Sequence, residues 1–507
     1  MHRILCLFAI LTGISMTNVA ADPISDSAYL AQSSWPMAHR TQGQTASTPI
    51  PAPLGSRNIV TLHLLEDSVG EHVGTSPWHV ISGNSYPGEP EKRTVWGASL
   101  KYAYKFAMTQ DDLRFAGSFK LTRLGSISWN LIALSSQIGS RILVPQPRGL
   151  RQGNGPCRGD EPALIELRDG PTATSAIKCT RKFELSDDVV RAECPVPRTG
   201  WRQGYSATRT GVTYSGEIVT NATYVRRGSF GARKRSYTVL IDNDLTRIVA
   251  CAEIGEGTST NNVPVMPTAQ GGSALFIATE TELVRMNWQP VTGNLTVGWR
   301  LALPFRGRTG TTPTLVDAGG RRSVVVIDAM CAVTNPFTGN IDCADEATGP
   351  SRLIAVDTET ATIQRLDLPP GIRTVENSPA AADGLVVVAN YGGYRANPDA
   401  KGVVAARWSA AAAKWEIAWT NSGVQMNGVP TISTGSNAVY SSGLAASGQI
   451  QMTGLGLTGP TAGKVVMRAS IGDPEDWLDA GVNTVVARDG TLIYGADAGI
   501  VHLRQLK

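Results

Sequence analysis

Charge, aromatic rings and histidine are all scarce in this 507-residue sequence: Asp, Glu, Lys and Arg make up 17% of it, aromatics 6%, and there are six His. With 46 basic against 42 acidic residues the formal charge is +4, too mild for a nucleic-acid footprint. Beyond residue 21 no window approaches 18 consecutive apolar residues, so no membrane span is expected. Long amphipathic helical patterns are also scarce, which argues against an all-α fold. No Gly-x-Ser-x-Gly elbow, His-Glu-x-x-His pair or phosphate-binding Gly-Lys-Ser/Thr loop is present. Nor is there an adjacent cysteine pair or a Cys-x-x-Cys-His haem site. His39, His63, His72, His79 and His502 avoid the repeated positions described below, which excludes a four-histidine iron ring, and His63, His72 and His79 are poorly spaced as metal ligands.

What is abundant is glycine (53), proline (29) and short apolar runs, the composition of a turn-rich β protein. The stretch from Glu376 to Tyr391 sets the pattern: an Asn, a small residue and a Pro open a short strand, Asp383-Gly384 gives a two-residue hairpin, and Leu385 to Val388 form the partner. Related units begin at Asn262, Thr311, Asn377, Asn427 and Asn483. Intervals of this size with several short strands in each predict an all-β propeller of seven or eight blades over residues 59–507.

Residues 1–21 have the form of an export signal, with an apolar core from Ile4 to Ile14 and Val19-Ala-Ala21 before Asp22, which predicts a secreted or periplasmic protein. Residues 22–58 form an irregular, Ser-, Thr-, Pro- and Gln-rich lead-in, expected to drape across the propeller. The run from Ile59 to Leu65 suits a strand that closes the ring against the last blade and so removes an open sheet edge. Residues 148–210 read as a cysteine-bearing insertion. Six cysteines remain after the signal, an even number that favours disulfides in an exported chain. Cys331 and Cys343 enclose one loop; Cys179 and Cys194 flank another, which would leave Cys157 for Cys251. The basic cluster Arg226-Arg227 with Arg233-Lys-Arg235 reads as a solvated loop, and Trp415 and Trp419 as residues of one strand face that pack the blade.

Trp35-Pro-Met-Ala-His39, Thr311-Thr-Pro-Thr-Leu-Val-Asp317 and Leu353-Ile-Ala-Val-Asp357-Thr-Glu-Thr360 resemble the quinoprotein-like (YVTN-type) β-propeller superfamily over most of residues 95–505. Members that use pyrroloquinoline quinone carry a vicinal disulfide, a Trp platform and Glu, Asn and Asp around calcium. Without adjacent cysteines the quinone is not expected here, and quinoprotein oxidoreductase stands as the third functional reading.

Asn130, Asn221, Asn262, Asn377, Asn427 and Asn483 recur before candidate inner strands, with Glu376 beside one of them. Equivalent positions of a propeller ring its channel, and oxygen ligands in such a ring suit calcium. Asn377, Asn427 and Glu376 would be the metal set and Glu376 the catalytic group, with Asn130, Asn262 and Asn483 completing the ligand site. The arrangement resembles the axial metal site of gluconolactonase-like propellers. The alternative is that each Asn caps its own turn. The leading reading is a hydrolase or lyase acting on a small organic or sugar-like substrate at the channel mouth, assisted by calcium. Its rival is a noncatalytic propeller that binds a protein or glycan through its face loops. Nothing in the sequence specifies an oligomeric state.

Overall fold

The computed structural model describes residues 28–506 except 32, 65–78, 84–85, 87–88, 90–91, 100–101, 110–111, 122–130, 147–156, 158, 208, 229–230, 258–261, 280, 304–310, 330, 336–339, 344–349, 374–377, 392–398, 478–483 and 497. The chain is an eight-bladed β-propeller. Taken from the axis outward, blade 1 spans His79–Ser82 to Leu113–Lys120 and blade 2 spans Ile132–Leu134 to Lys178–Glu184. Blade 3 begins with Arg202–Ser206 and Gly211–Val212, which share one partner strand, and ends at Ile248–Glu256. Blades 4, 5, 6 and 7 start at Val265–Pro267, Thr314–Ala318, Ala380–Ala382 and Thr431–Ser433. Blade 8 combines Val485–Val486, Leu492–Ala496 and Gly499–Gln505 with an outermost strand, Asn58–Leu64, from the other end of the chain.

That last pairing is the expected ring closure, with Asn58 opposite Gln505 and Leu64 opposite Gly499. The Asp383-Gly384 turn also forms as read: Ala382 faces Leu385 across it, and both turn residues have positive φ (49° and 71°), as a two-residue hairpin turn requires. Apolar residues on both faces of each blade meet those of the next. One cluster joins blades 3 and 4 through Val219, Leu240, Leu275 and Met286, and another joins blades 4 and 5 through Phe276, Leu283, Val324 and Ile354. Each sheet is therefore buried by its neighbours.

Three readings are corrected. Residues 148–210 are not one insertion, because Ala163–Arg168 and Lys178–Glu184 are the outer strands of blade 2 and Arg202–Ser206 opens blade 3. The disulfides are Cys157–Cys179 and Cys194–Cys251, not Cys179–Cys194 and Cys157–Cys251. Cys179 lies at the start of the outer strand of blade 2, and the rest of that strand and the helix Asp187–Glu193, capped by Ser186, separate it from Cys194, so one disulfide ties blade 2 to its own connection and the other ties the helix end to blade 3. Cys331 stands opposite Cys343 in the hairpin Cys331–Asn335 with Asn340–Cys343, but their side chains are outside those described. Asn221 does not precede an inner strand; it lies within the second strand of blade 3, opposite Thr238.

Candidate functional site

The lead-in does not drape across a face. Its residues 35–48 fill the propeller axis. From Trp35 to Thr48 every residue is buried except the half-buried Arg40. Along this segment the carbonyl oxygens accept N–H groups from one inner strand after another. Trp35 O accepts from Ser82 of blade 1 (2.8 Å) and Pro36 O from Ala133 of blade 2 (2.6 Å). Gln42 O accepts from Val265 of blade 4, Gly43 O from Leu315 of blade 5, Thr45 O from Ala381 of blade 6 and Ala46 O from Ile432 of blade 7, all at 2.8–2.9 Å. Blade 3 is reached by the Gln42 side chain, whose Nε2 donates to Val212 O at 2.6 Å.

The recurring proline of the repeat gains a physical role here. Pro264, Pro313, Pro379 and Pro430 stand one or two residues before the amides that bond the segment, and proline brings no N–H of its own to the axis. Seven blades are thus bound in the order in which the chain passes them.

Turning so tightly around an axis strains the backbone. His39, Arg40, Gln44 and Ala46, none of them glycine, have φ of 56°, 65°, 57° and 48°. Such left-handed residues cost roughly 1–2 kcal/mol each and persist only where the surroundings fix them. Internal bonds do part of this: Ala46 N donates to His39 O (2.9 Å), Gln44 N to Thr41 O (2.9 Å), and Arg40 Nη1 to Ser47 O (2.7 Å). The segment then runs parallel to the inner strand of blade 7, pairing Ser47 with Ile432 and Thr48 with Ser433.

Of the predicted ring residues that are described, Asn262 meets this segment. Asn262 is buried and donates from Nδ2 to Gln44 Oε1 at 3.4 Å, so its partner is the axial segment and not its own turn. Asn427 is fully buried, and its backbone N donates to Ser442 O (2.7 Å). Asn130, Glu376, Asn377 and Asn483 lie outside the described residues, and with them the proposed catalytic carboxylate and most of the calcium set. No group of three or more His, Cys, Asp or Glu is placed to hold a metal among the described residues.

His39 is the segment's histidine. Burial lowers its pKa to about 4, and Nδ1 has no hydrogen-bond partner among the described residues. On the closing blade His502 is likewise pushed down to about 4, mainly by burial and further by His63, whose ring is 6.0 Å away. In the unfolded chain both titrate near 6.5, so between pH 6.5 and 4 the unfolded state binds more protons and stability falls as pH falls. We expect a loss of about 3 kcal/mol for each histidine by pH 4. Urea melts across this range check it: His502→Gln should flatten the slope, and an unchanged slope would remove His502 from the account.

The two ends of the propeller differ. Both passages of the axial segment open toward the turns that join first to second strands: Tyr29 O accepts from Ser135 in such a turn of blade 2, and Pro49 to Pro51 press on Gly435 and Gly490 in those of blades 7 and 8. An open cleft of about 980 Å³ lies at this exit among Pro51, Pro53, Asp489 and Arg504, but the Asp489 carboxylate is taken up by Thr491 Oγ1 at 2.8 Å. The long connections 147–162, 185–201, 329–351 and 368–379 all belong to the opposite end.

The axial role of the lead-in leaves no periodic signal in the sequence. The one trace is composition: Thr41, Gln42, Gly43, Gln44 and Thr45 offer many hydrogen-bonding groups and no charge, as a buried coil that must satisfy its own backbone requires.

No family model and no curated protein matches the chain. Solved structures with similar folds are propellers and distant in sequence. The periplasmic gluconolactonase of Pseudomonas aeruginosa is 12% identical, with a TM-score of 0.40 over 78% of this chain and 96% of that one. Sqt1 from Chaetomium thermophilum is 10% identical, with a TM-score of 0.44 over 90% of this chain and 100% of that one. The Dos1 propeller is 8% identical, with a TM-score of 0.42 over 84% and 94%. The chain is an eight-bladed β-propeller whose axis is occupied by its own N-terminal segment.

Proposed function

We propose that this protein is a noncatalytic binding propeller that recognises its ligand on the end carrying the long connections. One observation carries the reading: residues 35–48 occupy the axis and take up the inner-strand amides of six blades, at the place where a channel-mouth substrate would sit. Loops projecting from a rigid scaffold are where recognition residues usually reside. Two disulfides accord with a location outside the cytoplasm, and no helix among the described residues is long and apolar enough to cross a membrane.

The competing hydrolase reading is tested with the purified full-length protein and a panel of lactones and esters, with and without added calcium, alongside elemental analysis. The expected result is no turnover above buffer, with Asn427→Ala lowering the melting temperature and changing nothing else. Calcium-dependent turnover that disappears in Asn427→Ala at unchanged melting temperature would overturn the binding reading.

A further inference from the structure

The second and third strands of blade 3, Ile218–Gly228 and Gly231–Ile241, are 11 residues each, whereas their counterparts in the other blades have 5 to 8. At about 3.3 Å per residue the hairpin extends roughly 10 Å beyond its neighbours, on the end that carries the long connections. Residues 226–235 hold five cations and no acid. The whole chain is only +4, so the remainder of it is −1. Five of the 46 basic residues therefore exceed the net positive charge of the whole chain.

The register makes the concentration specific. Arg226 stands directly opposite Arg233, and Arg235 follows on the same face. On the other face Lys234 pairs with Val225, which in turn faces Arg202. Like charges opposite each other on a sheet destabilise it. Arg226 and Arg233 have no ion-pair partner among the described residues, and both are exposed. Acids do occur lower on the blade: Glu253 reaches Arg235 at 3.6 Å, and Glu256 faces Arg235 in the register. They leave the outer pair of arginines uncompensated.

The base of the hairpin is braced. The Arg235 guanidinium packs 5.3 Å from the Trp201 ring and Arg191 lies 4.9 Å from that of Tyr224, while the Cys194–Cys251 disulfide ties the intervening segment to the outer strand. Arg226 lies along Gly200, where an added Cβ would meet its Nε at 3.3 Å.

We propose that this hairpin docks the propeller end-on onto an anionic lipid surface. A bound peptide or helix would be met by a single face. Exposed cations on both faces of a projecting hairpin, Arg226 and Arg233 on one and Arg202 on the other, can instead meet a plane together, which is the geometry of a negatively charged bilayer. Each Arg or Lys brought to such a surface strengthens binding about fivefold, and the attraction fades within a Debye length. The inference rests on the reading of this end as the recognition face and names its partner.

The test is co-sedimentation of the full-length protein with vesicles of phosphatidylcholine alone and of phosphatidylcholine with phosphatidylglycerol. Binding is expected only to the second, weakening steeply with salt. Arg226→Ala and Arg233→Ala should each lower partitioning about fivefold and together about 25-fold. Relief of their mutual repulsion should leave the melting temperature equal or higher, which separates lost docking from lost folding. Equal binding to both vesicles, unchanged binding by the double variant, or binding to dextran sulfate in solution with vesicles ignored would each overturn it. Failure here leaves the noncatalytic reading standing, whereas lactone turnover would remove that reading without touching vesicle binding.

Discussion

A chain lacking residues 22–54 but keeping the closing strand should fail to fold cooperatively, and a synthetic peptide of residues 28–57 added in trans should restore it. The six amides of Ser82, Ala133, Val265, Leu315, Ala381 and Ile432 lose their acceptors in the truncated chain. At about 1 kcal/mol net for each bond, the loss is about 6 kcal/mol, comparable to the 5–15 kcal/mol that separates native from unfolded domains. Trp35 and Met37, buried in the inter-blade cores, are lost as well. Circular dichroism melts read the outcome. A truncated chain as stable as the parent would mean that the eight blades hold their own axis together.

The second large effect is expected at the contact between blades 1 and 2. Lys105 and Asp169 are both fully buried side chains, with Nζ and Oδ2 3.2 Å apart. Tyr86 donates its hydroxyl to Asp169 Oδ2 at 2.5 Å, Ser140 donates its backbone N–H to Oδ1 at 2.6 Å, and Lys105 also donates to the carbonyl of Ser175. Burial drives the Asp169 pKa up and that of Lys105 down; at Asp169 this is offset by the Tyr86 and Ser140 hydrogen bonds and then by the Lys105 ammonium, and at Lys105 by the Asp169 carboxylate. Asp169→Ala strands a buried ammonium and should cost about 3–5 kcal/mol, read from the urea midpoint. Lys105→Met added to it should recover part of that loss. If the double variant is no more stable than Asp169→Ala, the stranded charge is not the cause.

The blades were legible because each is built from local signals. Pro379, the Asp383-Gly384 turn and the Leu385 to Val388 run specify a hairpin within a few residues, and the same grammar recurs around the ring. Ile59 to Leu65 was legible as a closing strand for the same reason. Where a local rule broke, the reading broke with it. Trp415 and Trp419 share a face by simple alternation, but a register shift between Ala405 and Ala406 turns Trp419 to the other side. Both rings are buried as blade packing, yet Trp415 packs with blade 5 and Trp419 with blade 7, where its Nε1 donates to Leu457 O.

The axial segment was illegible for a deeper reason. Its partners are Ser82, Ala133, Val265, Leu315, Ala381 and Ile432, separated from it by tens to hundreds of residues, and each contributes a single backbone bond that is independent of side-chain type. Neither a period of two nor one of 3.6 can encode such a path. The candidate site suffered in turn: Asn262, read as a ligand-site residue, bonds Gln44, which belongs to a stretch with no recognisable structure of its own.

Native-state hydrogen exchange of residues 35–48 tests the central claim most directly. If the segment is bound into the axis, the amides of Gln44 and Ala46, which donate to Thr41 O and His39 O, should exchange as slowly as those of Val265 and Ile432 on the inner strands. Exchange of these two amides at the rate of an unstructured peptide, with the inner strands still protected, would mean that the axis is open and would return the channel mouth to consideration as a substrate site.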